Sequence, residues 1–382
     1  MSADSLRGDG SRPRIVFNGR FLAQVQTGVQ RYARETLLAF DALLARRPDL
    51  RARLDCALAL PADAAAPTLR HIATLPAGPL RGHAWEQLTL PWLARDAFLV
   101  NFNYSGPVFK RRQMITLHDA TVAVSPETFS ARYRWLHRGL IALLRHRAEL
   151  MMTVSDFSRG EVARYFDIRR PILVGREGWE HALARGDDRA MLAKYGLTAG
   201  GYVLAVGSMK PNKNFGLLGQ ALQKMGRYRW PIAVAGARDA RVFQAAEVPG
   251  DLVRLLGFVS DAELGHLYRH AAWFVLPSLY EGFGLPAVEA MGNGCPVIAA
   301  HAASIPEVCG DAALYFDPLD ADSLVAALRR AESEPGLRDS LNARARARLD
   351  RYSWHANAEL LAGALLQGAD RPWAAGAPAA PA

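Results

Sequence analysis

The chain has 382 residues, of which 50% are hydrophobic, and this length and composition are enough for two domains with sizeable cores. No window approaches the run of about 18 apolar residues that a membrane-spanning helix needs, and the polar residues 1–14 lack the apolar segment of a secretory signal. The formal net charge is +9. The three scattered cysteines exclude a disulfide framework or a cysteine-rich zinc site, and we therefore expect a cytoplasmic protein.

The excess positive charge lies entirely in the first half of the chain. Residues 1–190 contain 28 Lys and Arg against 19 Asp and Glu, whereas residues 191–382 contain 18 of each kind. Such an asymmetry is typical of a protein whose basic half has an anionic partner, such as a phospholipid surface, a lipid pyrophosphate or nucleic acid. A solvated arginine-rich surface without any such partner is the alternative, and composition alone leaves both open.

The first half alternates strands and helices. We expect residues 1–13 to be disordered and predict strands over 15–18, 54–60, 98–102, 113–119, 150–155 and 171–174. Helices are predicted over 27–47, 83–94 and 132–147, and another begins at Ser158, which has capping-box spacing to Glu161. Gly28 opens the first helix, where it is either a point of close approach to a ligand or a tight-turn glycine. His118 and Asp119 end a strand, where open parallel sheets bind ligands, although a structural histidine would fit as well.

The predicted helix over 132–147 is basic and amphipathic. Tyr133, Leu136, Leu140, Leu143 and Leu144 form its apolar stripe, and most of its arginines lie off that stripe. A membrane-surface helix has this pattern. Core packing requires the same stripe, so an ordinary packed helix is the preferred interpretation.

The second half continues the alternation. Polar residues 182–200 predict the boundary between an N-terminal domain, 14–185, and a C-terminal domain, 186–355. We expect a helix over 356–369 to pack back on the first domain and residues 370–382 to form a disordered tail. Strands are predicted over 202–207, 231–236, 251–257, 271–277, 295–300 and 312–316, and helices over 215–224, 261–270, 286–292, 322–332 and from 337. The fold class is therefore α/β, with two doubly wound, Rossmann-like domains facing each other across a cleft.

Two turns in the second half have the character of anion sites. The first turn follows a buried strand, contains Glu281-Gly-Phe-Gly284 and leads into a helix that starts at Pro286. Its backbone N–H groups therefore lie between two carboxylates, Glu281 and Glu289. A site with N–H groups for phosphates and carboxylates for hydroxyls suits a sugar nucleotide. The second, Gly207-Ser-Met-Lys-Pro-Asn-Lys213, brings two lysines to a helix start. Neither turn has Walker or G-x-G-x-x-G spacing.

Together the two turns make the sequence resemble the GT-B glycosyltransferases, specifically their large retaining family 4. Glu281 and Glu289 match the E-x7-E motif of that family, within Pro277-Ser-Leu-Tyr-Glu-Gly-Phe-Gly-Leu-Pro-Ala-Val-Glu. The likeness continues at Gly257-Phe-Val-Ser-Asp and Ser304-Ile-Pro-Glu, and in the first half at residues 27–32, 85–87, 117–119 and 153–158. It covers residues 14–365 and is most specific over 257–310.

The resemblance implies a donor site. Lys213 would hold the donor diphosphate, and because Ser208 and Asn212 stand where many relatives have an arginine, Lys210 is the candidate for the missing cation. Glu289 would accept hydrogen bonds from the donor ribose. Glu281 and His118 would lie at the transferred sugar, as the catalytic pair. The other donor-side positions are Gly28, Phe258, Val259, Gly282, Phe283, Gly284 and Leu285, and the acceptor-side candidates are Arg31 and Asp119.

The activity that the resemblance implies is transfer of a hexose from a nucleotide-diphosphate sugar to a saccharide or lipid-linked oligosaccharide in surface polysaccharide synthesis. Configuration would be retained by front-side attack. GDP-mannose is slightly preferred as the donor because relatives with these first-half motifs resemble mannosyltransferases, and a rhamnosyl or glucosyl donor is the alternative. No D-x-D cluster stands out, so neither a metal nor another cofactor is expected. The basic half suits peripheral association with an anionic membrane face. A sugar-nucleotide epimerase of the same fold and, from charge alone, a nucleic-acid-binding protein are the alternatives.

Overall fold

A computed structural model of the chain describes residues 12–75, 78–186, 189–236 and 241–370. The chain folds as two α/β units, of which the first ends at Glu177 and resumes at Trp354, and the second is Gly178–Ser353. The first crossing between the units thus lies ahead of the boundary expected at residues 185–186, and the return lies at 353–354 rather than 355–356. The segments expected to be disordered, 1–13 and 370–382, fall almost wholly outside the described residues.

The first unit is built on one parallel sheet of seven strands in the order β3-β2-β1-β4-β5-β6-β7. The strands are β1 Arg14–Asn18, β2 Asp55–Ala59, β3 Ala73–Leu75, β4 Phe98–Asn101, β5 Gln113–Thr116, β6 Leu150–Thr153 and β7 Ile172–Val174. Strands β4, β5 and β6 are buried along their whole length, as expected for parallel strands covered by helices on both faces. The sequence pattern does not predict β3, because this edge strand has three residues, two of them exposed.

Seven helices of the first unit precede the crossing in the described part of the chain. They are α1 Gly28–Arg46, α2 Pro48–Arg53, α3 Gly82–Ala84, α4 Leu90–Leu93, α5 Thr121–Val124, α6 Ala131–Arg147 and α7 Asp156–Tyr165, and a π-helix, Trp85–Thr89, joins α3 to α4. The predicted start of α7 at Ser158 is wrong. The helix begins at Asp156, because the Ser155 hydroxyl caps it by accepting the Ser158 N–H at 2.9 Å.

Helix α6 packs through a face that differs from the predicted stripe. Its buried residues are His137, Ile141 and Leu144, which recur at helical spacing. The predicted stripe is therefore wrong for Leu143, which is 56% exposed, and Trp135 on the same outward side is 82% exposed. Among the described helices, none is both long and apolar enough to span a bilayer.

The second unit has a parallel sheet of six strands in the order β10-β9-β8-β11-β12-β13. The strands are β8 Val203–Val206, β9 Ile232–Ala235, β10 Val253–Gly257, β11 Trp273–Leu276, β12 Val297–Ala300 and β13 Ala313–Phe316. The helices are α8 Ala190–Lys194, α9 Phe215–Met225, α10 Arg241–Ala245, α11 Asp261–His270, α12 Leu285–Gly292, α13 Ile305–Cys309, α14 Ala321–Ser333 and α15 Leu337–Leu349. Single 3-10 turns in the two units are Gly19–Ala23, Pro126–Thr128, Glu180–Ala182, Pro211–Lys213 and Gly310–Ala312.

The last helix, α16 Trp354–Asp370, belongs to the first unit and packs on α1. The ring of Trp354 meets Tyr32 edge to face at 5.9 Å, and Nδ2 of Asn357 donates to the Thr36 hydroxyl at 3.0 Å. All four side chains are buried, so this contact joins the end of the described chain to the core of the first unit.

Candidate active site

Each sheet has one point at which the strand order reverses. In the second unit, β9 and β10 lie on one side of β8, and the chain continues from β11 on the other side, so β8 and β11 are neighbours. Open parallel sheets bind ligands outside the carboxyl ends of their strands at such a point. The loops after β8 and β11 are the lysine turn and the glycine turn that the sequence assigns to the donor.

Lys213 and Glu281 form an ion pair between these two loops. Nζ of Lys213 lies 2.7 Å from Oε1 of Glu281, and the Ser278 hydroxyl donates to the same oxygen at 2.7 Å. Ser304 donates to the main-chain carbonyl of Glu281 at 2.9 Å, which fixes the turn. The lysine and glutamate side chains are 21% and 12% exposed, so the pair presents one cation and one carboxylate to a ligand.

Helix α12 starts beside this pair. It begins at Leu285 rather than at Pro286, and Gly284 precedes it with a φ of 95°, a conformation that favours glycine. The first turn of a helix has N–H groups without intrahelical partners, which attract anions. Phe283 is buried against the ring of Tyr352 at 5.4 Å, so only its backbone can meet a donor.

Glu289, on the same helix, is buried and already has two partners. Nε2 of His181 lies 2.8 Å from its Oε1, and the Tyr268 hydroxyl donates to its Oε2 at 2.9 Å. Each carboxylate oxygen can accept a second hydrogen bond, so the group keeps acceptor capacity for a ligand hydroxyl. Neither partner is found by sequence reasoning, because His181 lies 108 residues away without any periodic pattern that links the two.

The first residues of the second unit hold α12 in place. Asn293 accepts the Ala184 N–H through Oδ1 and donates to the Ala182 carbonyl through Nδ2, both at 2.9 Å. Gly292 lies so close to the indole of Trp179 that a Cβ at this position would be 2.1 Å from the ring. Segment 178–184 therefore fixes the helix that positions Glu289.

The remaining donor-side candidates share the carboxyl edge of the sheet. Ser208 and Lys210 are exposed on the loop after β8, and Gly282 lies beside Glu281. Phe258, 77% exposed, and the half-buried Val259 follow β10, two strands away from β8. Among the described residues, no three His, Cys, Asp or Glu side chains are grouped so that they could hold a metal ion.

In the first unit, His118 lies at the carboxyl end of β5. Its Nε2 donates to the Phe102 carbonyl at 2.7 Å, which leaves Nδ1 as the acceptor, and its ring meets Tyr32 of α1 at 4.9 Å. Burial lowers the pKa of His118, against the opposing effects of the Phe102 hydrogen bond and the charge of Asp119. Asp119 accepts the N–H of Thr121, the first residue of the short helix α5, at 2.7 Å.

Gly28 and Arg31 lie in the first turn of α1, next to Tyr32. Gly28 is not among the residues with a positive φ, so no left-handed conformation requires a glycine at this position. Apart from its chain neighbours and the backbone of its own helix, no described residue has an atom within 4 Å of where a Cβ on Gly28 would lie. Nη1 of Arg31 is 3.9 Å from Oε1 of Glu35. Because Tyr32 contacts His118, this turn lies at the same edge of the first sheet as the histidine.

Comparison with known proteins places this site in a family context. The model of the family described as glycosyl transferases group 1 matches residues 190–348. O-antigen chain mannosyltransferase B of Escherichia coli is 36% identical over 286 residues, which are 69% of this chain and 73% of that protein. The GDP-mannose:cellobiosyl-diphosphopolyprenol alpha-mannosyltransferase of Komagataeibacter xylinus is 34% identical over 167 residues, 40% of this chain and 42% of that protein.

The fold of this chain is found in a solved structure. A sucrose-phosphate synthase from Thermosynechococcus elongatus is similar with a TM-score of 0.71 over 93% of this chain and 99% of that chain. Its sequence is 19% identical, so this likeness concerns the fold alone. It confirms the GT-B fold expected from the sequence.

Proposed function

This chain belongs to the glycosyl transferases group 1 family, and on that premise we propose that it transfers mannose from GDP-mannose to a saccharide or lipid-linked oligosaccharide acceptor. The product is a surface polysaccharide, and the anomeric configuration of the sugar is retained. Support for mannose comes from the relatives in Escherichia coli and Komagataeibacter xylinus, since both are named as mannosyltransferases and the second is named for GDP-mannose and a diphosphopolyprenol acceptor.

The observation that carries the proposal is the Lys213–Glu281 pair at the start of α12. When the bond between the sugar and the diphosphate breaks, negative charge develops on the leaving phosphate. The Lys213 ammonium and the N–H groups of the helix start stabilise that charge, which is the preorganised electrostatic stabilisation typical of such sites. A diphosphate on Lys213 takes the place of Glu281, whose carboxylate then accepts hydrogen bonds from the sugar hydroxyls.

Glu289 is proposed to hold the donor ribose. Its two oxygens each retain a free lone pair, and the fixed partners His181 and Tyr268 orient the carboxylate so that no rearrangement is needed on binding. We also propose that no divalent metal takes part, because Lys213 supplies the cation for the diphosphate. Transfer that stops with EDTA and returns with Mg²⁺ or Mn²⁺ would contradict this.

A peripheral membrane position is proposed from helix α6. Trp135 and Leu143 project outward from it, and exposed arginines, Arg132, Arg138 and Arg147, flank them. An indole and a leucine among arginines suit the boundary between headgroups and acyl chains of an anionic bilayer. A lipid-linked acceptor would be reached from such a surface.

The test of the donor is a thermal-shift screen with GDP, UDP, dTDP and ADP, followed by a transfer assay with GDP-mannose. A ligand that binds only the folded protein raises its melting temperature, so GDP alone should produce a shift. Lys213→Ala should abolish the GDP shift, whereas the exposed control Lys224→Ala on α9 should keep it. A selective response to UDP or dTDP would overturn GDP-mannose as the donor.

A further inference from the structure

Three large apolar side chains of the first unit are exposed outside helix α6. Leu88 of the π-helix is 68% exposed, and Trp92 of α4, four residues further along the same helical segment, is 54% exposed. Phe109, in the loop between β4 and β5, is 81% exposed. We call these three residues the apolar patch. Single exposed apolar residues are common on protein surfaces, whereas large ones that lie together mark a surface that another molecule covers.

Hydrogen bonds hold the loop with Phe109 against the helical segment that carries the other two residues of the patch. Before Phe109, the N–H of Val108 donates to Oε1 of Gln87, in the π-helix, at 3.0 Å. After Phe109, Nζ of Lys110 donates to the carbonyl of Ala94, at the end of α4, at 2.7 Å. Because these bonds fix the loop on both sides of Phe109, the loop has little freedom to bury the ring.

The apolar patch and α6 belong to the same face of the sheet. Leu99 of β4 is in the core cluster of the π-helix and α4, and Ile115 of β5 is in the core cluster of α6. Leu99 pairs with Gln113, which is two residues before Ile115. Side chains two residues apart on a strand point to one face, so both helical segments cover the same face of the sheet. Val108 packs against the α6 cluster, so the loop lies between the two segments.

The surroundings of the apolar patch are basic. The guanidinium of Arg95 is 5.6 Å from the centre of the Trp92 ring, and Asp96, at 3.1 Å, offsets part of its charge. Arg111 and Arg112, which follow the loop, are both exposed. Apolar side chains bordered by cations suit an anionic bilayer, whose phosphates attract the cations and whose acyl chains take up the apolar groups. In a dimer through this face, the same positive charges would meet and repel each other.

We propose that the apolar patch inserts into the headgroup region of an anionic membrane, so that the first unit docks through the whole helical face of its sheet and not through α6 alone. Contact through one helix leaves the unit free to rotate about the axis of that helix, whereas contacts on two helical segments and a loop fix its orientation. The sheet then lies parallel to the bilayer, and its carboxyl edge, with His118, faces along the membrane surface.

This orientation rests on the proposed function, because it explains how a lipid-linked acceptor meets the enzyme. The saccharide of such an acceptor projects from the headgroups, so it reaches the carboxyl edge of the sheet while its lipid stays in the bilayer. The proposal therefore names the surface that brings enzyme and acceptor together and adds three residues to those of α6.

A fluorescent probe at position 109 tests the insertion in the full chain. Cys56, Cys295 and Cys309 are buried, so a thiol-reactive nitrobenzoxadiazole group on Phe109→Cys labels this position selectively. With vesicles of phosphatidylglycerol and phosphatidylcholine, its emission should increase and shift to shorter wavelength, because the probe leaves water. The matched control is Leu319→Cys, a position in the second unit that is also 81% exposed, whose emission should not change.

Sedimentation with the same vesicles measures the contribution of the patch to binding. Phe109→Ser and Leu88→Ser should each lower the vesicle partition coefficient by about tenfold, the loss expected for one large apolar side chain that no longer leaves water. Leu319→Ser should bind like the wild type. Both changed side chains of the patch are exposed, so these variants keep the core of the first unit.

The outcomes separate this inference from the proposals that precede it. Vesicle-bound protein whose probe at position 109 stays unchanged would refute the inference and leave the membrane position of α6 standing. An emission change that needs no vesicles and grows with protein concentration would assign the patch to a second copy of the chain and overturn the lipid assignment. Protein that does not bind vesicles at all would refute every membrane contact proposed here, whereas the donor is tested separately by transfer from GDP-mannose in solution.

Discussion

Lys213 and Glu281 neutralise each other across 2.7 Å, so a donor diphosphate has to compete with the carboxylate for the lysine. Glu281→Gln removes the competing charge and keeps an acceptor for the Ser278 hydroxyl. We expect GDP to bind as tightly as in the wild type or more tightly, and kcat to fall by about 10²-fold, as for the loss of one preorganised transition-state contact. Calorimetry with GDP and initial rates with GDP-mannose measure the two effects.

The matched control for this change is Glu332→Gln, a partly exposed glutamate of α14 that pairs with Arg329. It should leave both quantities unchanged. Weaker GDP binding together with an unchanged kcat in Glu281→Gln would assign the glutamate to the nucleotide and not to the sugar.

The buried imidazole of His118 makes the stability of the first unit depend on pH. Burial holds its pKa below the usual range, so below about pH 6.5 the unfolded chain binds a proton that the folded chain does not. The stability that neutral His118 contributes is therefore present above the unfolded pKa and lost as the pH falls below it. Relative to His118→Gln, the free energy of unfolding of the wild type should decrease by up to about 1.4 kcal/mol per pH unit in that range.

Urea denaturation between pH 7 and pH 5 measures this difference. His137 is also buried with a lowered pKa, but it is present in both proteins, so its contribution cancels in the comparison. Equal pH slopes for the wild type and His118→Gln would show that the folded protein protonates His118 as readily as the unfolded chain does.

At the scale of elements, α12 depends on its contact with segment 178–184. Gly292→Ala places a Cβ 2.1 Å from the ring of Trp179, so the helix or the indole has to move. Overpacking of this kind costs about 1–3 kcal/mol of unfolding free energy. We expect that loss in chemical denaturation and also weaker GDP binding, because Glu289 lies on the same helix.

Gly160→Ala is the matched control for this prediction. Gly160 lies within α7, and apart from its chain neighbours and the backbone of α7 no described residue has an atom within 4 Å of where its Cβ would lie. Alanine should stabilise that helix by about 0.5–1 kcal/mol. If Gly292→Ala were as stable as the wild type, segment 178–184 would not be holding α12 in a fixed position.

Periodicity predicts most strands and long helices of this chain, because continuous apolar runs and capping residues are local signals. Strand β3 and the π-helix are missed, since a three-residue exposed edge strand has no pattern and a π-turn differs from an α-turn by one residue. The N-cap at Ser155 is missed because Ser158 offers an equally good pattern. Which of the two serines caps the helix depends on the residue at which β6 ends, and the pairing of β6 with its neighbouring strands determines that residue.

The candidate site also has parts that the sequence predicts and parts that it does not. The loops with Lys213, Glu281 and Gly284 are predictable, because glycines, charges and helix starts stand close together in the sequence. The fixed partners of Glu289 are not, since His181 becomes its neighbour only through the packing of segment 178–184 on α12. The hydrogen bonds that the buried Glu86 carboxylate accepts from Asn18 and Ser105 could not be predicted either, because these residues come from separate strands and loops of the first unit.

At the scale of the whole molecule, charge and apolar surface coincide on one helix. The excess of basic residues lies in residues 1–190, and within them α6 exposes Trp135 and Leu143 among arginines. Electrostatic attraction to an anionic bilayer acts over about 10 Å at 0.1 M salt, and insertion of an indole adds a contribution that salt does not screen. Binding to vesicles should therefore have two separable components.

Sedimentation with vesicles of phosphatidylglycerol and phosphatidylcholine tests both components. Arg132→Glu with Arg138→Glu should abolish binding at low salt, whereas Trp135→Ser should weaken binding and make the remainder disappear at about 1 M NaCl, where the Debye length is about 3 Å. Arg344→Glu with Arg346→Glu, two exposed positions of α15, makes the same change in net charge without touching α6 and should bind like the wild type. Because the two double variants change the net charge by the same amount, equal losses in the α6 and α15 variants would assign binding to net charge and exclude α6 as the membrane surface.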